Sequence, residues 1–287
     1  MTDNSEKRYG PIKAYRNDIY LNSREARPIR VLSEYLEPLA RFEDLDVSDT
    51  IVFQGSARTK PRDAAERSLA QANAEGKGIE TAERDLKMSR FYEDARTLAK
   101  RLTLWSKDLE GRKRRFVVCT GGGPGIMEAA NRGASEAKGM NIGLGISLPH
   151  EQHNNPYITR QLSFQFHYFF MRKLWFVYLA KAVVLFPGGF GTLDELFETL
   201  TLVQTKKMSR PLPIVLYGKD FWNGALNLDV LVEVGTISPG DEDLMVITDS
   251  VDEAFDYITA ELGKRHLESP GDGLGCKNDG QPPPDDR

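Results

Sequence analysis

Short apolar runs alternate with longer amphipathic stretches along the middle of the chain, and this alternation predicts its architecture. The runs are DTIVFQGSAR (49–58), RFVVCT (115–120), NIGLGISL (141–148), AVVLF (182–186), LPIVLYG (212–218) and MVITD (245–249). Their apolar cores are continuous rather than alternating, which suits strands covered on both faces. Between Pro28 and Phe42 the residues Val31, Leu32, Tyr35, Leu36, Leu39 and Phe42 recur at helical spacing. Pro28 suits the start of that helix, whereas Pro38 is expected to kink or break it near Glu37. Residues 62–104 read as two helices separated near Gly76 and Gly78, with Phe91, Leu98 and Leu102 on one face of the second. Further helices are expected over 126–139, 171–181, 192–207 and 251–262, the first ending in glycine. A polar loop (149–161) and the aromatic segment LSFQFHYFF (162–170) separate the third strand from the helix that begins at Met171.

Strands that alternate with helices predict an α/β fold, a parallel sheet with helices on both faces. Residues 1–44 form an N-terminal extension that contains one helix, polar and irregular up to about residue 27. Residues 45–263 form the main domain. From Lys264 to Arg287 the chain is dominated by Pro, Gly and Asp and is expected to be a disordered tail.

Two of the strands run directly into glycine turns. GGGPG (121–125) follows RFVVCT, and PGGFGT (187–192) follows AVVLF. Small residues let the backbone approach an anion, and the free N–H groups of a helix start point at it. Gly121, Gly122, Gly123, Gly125, Gly188, Gly189 and Gly191 are therefore candidates for holding a phosphate at the carboxyl edge of the sheet. Thr192 reads as the N-cap of the second helix, and Pro124 falls near the first positions of the other. Neither turn carries the lysine of a triphosphate loop. After Gly121 and Gly123 the third small residue of a dinucleotide fingerprint is replaced by Ile126, and no acid ends the next strand.

Charge and composition narrow the ligand to a small molecule. The net charge is −4 with basic residues dispersed, which argues against a nucleic-acid partner. No apolar stretch reaches the ~20 residues of a membrane helix, and the first residues lack a secretory core. Cys119 sits in a strand and Cys276 in the tail, so they are not expected to pair, and a cytoplasmic location follows. Four histidines and no clustered ligand spacing leave no metal site, and no cofactor is expected.

Several charged residues admit two readings. Thr192 and Glu195 match a T-x-x-E capping box, in which Glu195 only starts the helix. Alternatively its carboxylate, kept ionised by the helix dipole, stabilises charge on a sugar or orients a water. Arg172 and Lys173 read either as a solvated helix face or as a phosphate grip. Glu128, in the first turn after GGGPG, either complements the dipole or reaches the ligand. Phe164, Phe166, Tyr168, Phe169 and Phe170 read as core or subunit interface before a base-stacking platform, and His167 as a structural hydrogen-bonder.

GGGPGIMEAANRGA, then MRK, then PGGFGTLDE occur here in the order found in the LOG (Lonely guy) family, phosphoribohydrolases long mislabelled lysine decarboxylases. The resemblance covers about residues 50–250, and the longer arrangement is similar to larger bacterial members, nucleotide 5′-monophosphate nucleosidases among them. It implies a Rossmann-like doubly wound fold, usually dimeric, that hydrolyses a nucleoside 5′-monophosphate such as AMP or a cytokinin riboside monophosphate to free base and ribose 5-phosphate. It makes Arg172 and Glu195 the catalytic pair. Gly188, Gly189, Gly191 and Thr192 become phosphate binders, and Glu128 a ribose or water contact. The helical region 62–104 exceeds the compact plant members, so base preference does not carry over. Because fold alone does not fix activity, a non-catalytic nucleotide or cofactor carrier stands as the alternative. A pyridoxal-dependent decarboxylase is disfavoured, since no lysine stands out for that cofactor.

Overall fold

The computed structural model describes residues 11–109, 111, 113–147, 154–208 and 212–267. Among the described residues seven strands form one sheet: β1 (Thr50–Gln54), β2 (Val117–Thr120), β3 (Asn141–Ile146), β4 (Ser163–Phe166), β5 (Ala180–Leu185), β6 (Ile214–Tyr217) and β7 (Val246–Thr248). Every pairing is parallel, in the order β4-β3-β2-β1-β5-β6-β7. This is a doubly wound, Rossmann-like α/β sheet, and its order turns back at β1. Side chains of β1 alternate between two cores. Val52 joins Cys119, Leu144, Trp175 and Leu196 on one face, whereas Ile51 and Phe53 join Leu98, Leu102, Ala130 and Ile258 on the other. Burying each such large side chain contributes roughly 1.5–3 kcal/mol, which is why the continuous apolar runs become the central strands.

The helices are α1 (Asp18–Leu21), α2 (Arg27–Asp44), α3 (Arg62–Glu75), α4 (Ile79–Lys107), α5 (Ile126–Glu136), α6 (Phe169–Tyr178), α7 (Phe190–Gln204), α8 (Lys219–Ala225), α9 (Leu228–Glu233) and α10 (Val251–Leu262). The break between α3 and α4 falls where expected, with Gly76 and Gly78 both left-handed at φ +66° and +71°. Among the described residues no helix is long and apolar enough to cross a membrane.

Four expectations are corrected. Pro38 does not interrupt α2. A proline removes the N–H that would bond the carbonyl of Glu34 four residues earlier, and the indole Nε1–H of Trp175 on α6 donates to that carbonyl instead, at 2.9 Å. The Glu34 carboxylate also accepts the backbone N–H groups of His167 (2.7 Å) and Tyr168 (3.2 Å), just ahead of α6.

The aromatic segment before α6 contains an edge strand, β4, in which Phe164 and Phe166 are buried while Gln165 is exposed. Its period of two is a strand signal that the density of aromatics obscured. The front segment is less irregular than its composition suggests. Ala14–Arg16 and α1 are helical, and Arg30 Nη1 donates to the carbonyls of Leu21 (2.5 Å) and Ser23 (2.7 Å). Finally, Gly263–Leu267 continues α10 as a π-helical turn, with His266 buried edge-on against Phe116 and its carbonyl bound by Arg115 Nη1 at 3.0 Å. The rest of the expected tail, 268–287 with Cys276, and residues 1–10 lie outside the described residues.

Candidate functional site

Because β1 has β2 on one side and β5 on the other, the carboxyl ends of these three strands open a crevice, the place where ligands sit in doubly wound sheets. Both glycine turns lie there, 121–125 after β2 and 187–189 after β5, with residues 55–58 after β1 between them. Ser56 ties the two turns together: its N–H donates to the Pro187 carbonyl at 3.0 Å, and its carbonyl accepts from Ile126 N–H at 3.1 Å. Gly125, at φ +70°, passes so close that a Cβ would lie 2.2 Å from the Ser56 oxygen. The run DTIVFQGSAR reads as a buried strand entering a glycine turn, and the fold sets that turn between the other two.

The first turn is held from behind by a buried amide network. Asn155 donates its side-chain N–H groups to the carbonyls of Gly122 and Gly123, both at 3.1 Å, and to Asn131 Oδ1 at 2.9 Å. Asn131 in turn binds Asn141 and the Thr120 hydroxyl, and Thr120 Oγ1 accepts the Gly122 N–H at 2.9 Å. Gly125 is the N-cap of α5, so Pro124 lies just outside the helix rather than in its first positions. Glu128 does fall in the first turn. The Tyr92 hydroxyl on α4 donates to it at 2.7 Å, and burial together with that carboxylate pushes the phenol up, so it stays a donor. Neither Asn155 nor Tyr92 is visible as a site residue locally, because the glycine carbonyls that Asn155 binds and the carboxylate that Tyr92 binds lie more than thirty residues away.

The second turn corrects the capping-box reading. Gly189, in extended conformation, is the N-cap, and α7 starts at Phe190. Thr192 is therefore the third helical residue, not the cap. It is buried with its Oγ1 over Gly188, where a Cβ would lie 2.1 Å from that oxygen. Glu195 falls beyond the first turn and caps nothing. At Gly189 and Gly191 a Cβ would meet nothing, so the backbone faces open space. Glu195 is buried, and its carboxyl is not held ionised by the dipole as expected. Burial pushes it up to about 7 against the attraction of Lys173 and Arg172, because removing water disfavours the charged form.

Arg172 approaches Glu195 from α6. Its guanidinium lies over the rings of Phe169 (5.2 Å) and Phe176 (5.5 Å), so it is not part of a solvated helix face. A Cβ on Gly121 would stand 3.9 Å from Arg172 Nη1, which places the arginine between the first turn and α7. Burial lowers its affinity for the proton while Glu195 and Asp194 oppose that effect. Its Nε is buried without a hydrogen-bond partner among the described residues. Lys173 points instead to Asp194 and Glu198, both at 2.9 Å. Burial alone would lower the Lys173 ammonium, and these two bonds carry it above its usual value. Of the aromatics, Phe164, Phe166 and Tyr168 are buried, and Phe169 and Phe170 are about half exposed.

Residues 127–258 match the family model described as "Possible lysine decarboxylase". No curated protein matches the chain. Among solved structures, the chain is similar to the molybdenum cofactor binding protein from the phototrophic bacterium Rippkaea orientalis, at 18% identity over 75% of this chain and 96% of that one, with a TM-score of 0.46. It is also similar to the structural-genomics protein TM1055, at 22% identity over 74% and 99%, with a TM-score of 0.43. The Moco carrier protein from Chlamydomonas reinhardtii stands at 18% identity over 75% and 99%, with a TM-score of 0.44. Likenesses at this level carry no argument about function. The matched segment takes in Glu128, Arg172, Lys173, the PGGFGT turn and Glu195.

Proposed function

We propose that the protein hydrolyses the N-glycosidic bond of a nucleoside 5′-monophosphate, AMP or a cytokinin riboside monophosphate, to free base and ribose 5-phosphate. The observation that carries this reading is the burial of Arg172 beside Glu195 at the mouth of the crevice, with the Arg172 Nε still lacking a partner among the described residues. A buried, unpaired donor next to a displaced carboxyl is the arrangement expected where a ligand completes the bonding.

In this reading the phosphate sits on the N-terminus of α7, against the amides of Gly188, Gly189 and Gly191 and beside Thr192. β2 and β5 stand two strand spacings apart, on the order of 10 Å, so the nucleotide as a whole spans both turns. Gly121, Gly122, Gly123 and Gly125 then frame the sugar and base, Glu128 meets a ribose hydroxyl, and Lys173 supports the acidic residues of α7. As the bond from C1′ to the base nitrogen breaks, ionised Glu195 stabilises the positive charge on the sugar and takes a proton from the attacking water. The new bond joins that water's oxygen to C1′, and the departing base, its charge stabilised by Arg172, gains a proton from solvent while Glu195 returns to solvent the one it took from the water. No cofactor takes part. The exposed Phe169, Phe170 and Leu174 on α6 support a homodimer or higher homo-oligomer, acting in the cytoplasm with no nucleic-acid or membrane partner.

The test is incubation of the purified protein with AMP, other monophosphates and isopentenyl-AMP, with free base followed by chromatography. Base and ribose 5-phosphate are expected in equal amounts; no base from any of them refutes the reading. Tight AMP binding without turnover, unchanged in Glu195→Gln, would identify a carrier instead.

A further inference from the structure

Behind Glu195, between the sheet and the helices α6 and α7, lies a small cavity of about one water's size. Most of its wall is apolar, with Val52, Val183 and Phe176 among the lining side chains; Gln54, Glu195 and Thr199 are its polar members. Gln54 ends β1 on the same face as Val52, and it and Glu195 are each only 7% exposed. The Thr199 hydroxyl donates to the Glu195 backbone carbonyl at 2.7 Å and retains its capacity to accept. Gln54 Nε2 is buried with no hydrogen-bond partner among the described residues. An apolar cavity of this size stays dry, but a buried water needs two to four polar partners, and these three residues supply one donor and two acceptors.

We propose that this cavity binds one water, which accepts from the Gln54 carboxamide and donates to Glu195 and Thr199, and that Gln54 is thereby a positioning residue for the Glu195 carboxylate. The water holds the carboxylate from the side opposite the crevice, so that its other oxygen is left to face C1′. Its catalytic consequence rests on the nucleosidase reading; the water site itself does not. A bond that favours the charged form holds a carboxyl down against burial. The charged groups facing Glu195 are Arg172 and Lys173 on α6 and Asp194 and Glu198 on its own helix. β1 contributes Gln54, which does not titrate, so replacing it changes the hydrogen bond without changing the charge.

The experiment is Gln54→Met, which keeps the side-chain length and removes the donor. The titration of Glu195 is followed by carboxyl-labelled glutamate NMR, its resonance identified with Glu195→Gln. The midpoint should move up by roughly half to one pH unit, and the acid limb of kcat/KM by the same amount, with KM for AMP little changed. A shifted midpoint in a protein that releases base from no monophosphate sustains the water site and removes the nucleosidase reading. Base release with an unmoved midpoint overturns the proposal and leaves that reading intact. Should the methionine variant not fold, a crystal structure of the unaltered protein decides. One ordered water within about 3 Å of Gln54 and Glu195 supports the site, and a dry cavity or side chains turned apart overturns it.

Discussion

Exchanging Glu195 for glutamine should stabilise the folded protein at neutral pH while abolishing turnover. The carboxyl is displaced from its ordinary 4.5 to about 7 by burial, with Lys173 and Arg172 already pulling the other way. A group whose folded form holds its proton more tightly than the unfolded chain does subtracts stability as it ionises. The penalty is absent below pH 4.5, grows as pH rises, and is complete above about 7. Its size is roughly 3 kcal/mol. Glutamine resembles the protonated acid and never ionises, so Glu195→Gln should match the parent near pH 4.5 and exceed it by up to roughly 3 kcal/mol at pH 8. Urea unfolding of both proteins across pH 4–8, with linear extrapolation, measures the difference. Curves that run parallel over this range, or a variant less stable at pH 8, would refute the buried-carboxyl argument. The same displacement predicts that kcat/KM of the parent rises with pH through about 7, since the ionised acid does the work.

Two glycines of the PGGFGT turn should part company. Gly188→Ala drives a Cβ into buried Thr192 and should cost about 1–3 kcal/mol in urea unfolding. Gly191→Ala points into open space and should melt no lower than the parent, yet raise KM for AMP roughly tenfold by obstructing the phosphate. Asn155→Ala strips the carbonyls of Gly122 and Gly123 of their donor and leaves Asn131 without one of its partners, and should cost about 2–4 kcal/mol. Tyr92→Phe frees Glu128 while changing stability by only about 1 kcal/mol, so a fall in kcat/KM without a comparable fall in melting would mark Glu128 as a ligand contact.

Local pattern carried the six strands with continuous apolar runs, the paired helices α3 and α4, and both phosphate-type turns, because each depends on residues adjacent in the chain. It failed where a distant partner decides. Pro38 is a breaker by local rules, and only Trp175, far along the chain, relieves it. The spacing of Thr192 and Glu195 mimics a capping box, but glycine can itself serve as an N-cap, and Gly189 starts the helix ahead of Thr192. The ionisation of Glu195 was misjudged for a related reason: the dipole is readable from position, whereas burial is set by the packing of α6 over the sheet. Arg172 and Glu195 sit on different helices, and their proximity follows from the fold rather than from any spacing.

Pro38 turns a missing donor into a joint. By silencing one amide it leaves an oxygen of α2 permanently on offer, and the indole of the arginine-bearing helix claims it. Alanine at this position would fill that bond from within the helix and force the indole to compete for it. The front of the chain is thus coupled to the reactive crevice by subtraction. Trimming the polypeptide at residue 45 would spare every glycine turn yet cut the mooring of the guanidinium that faces them.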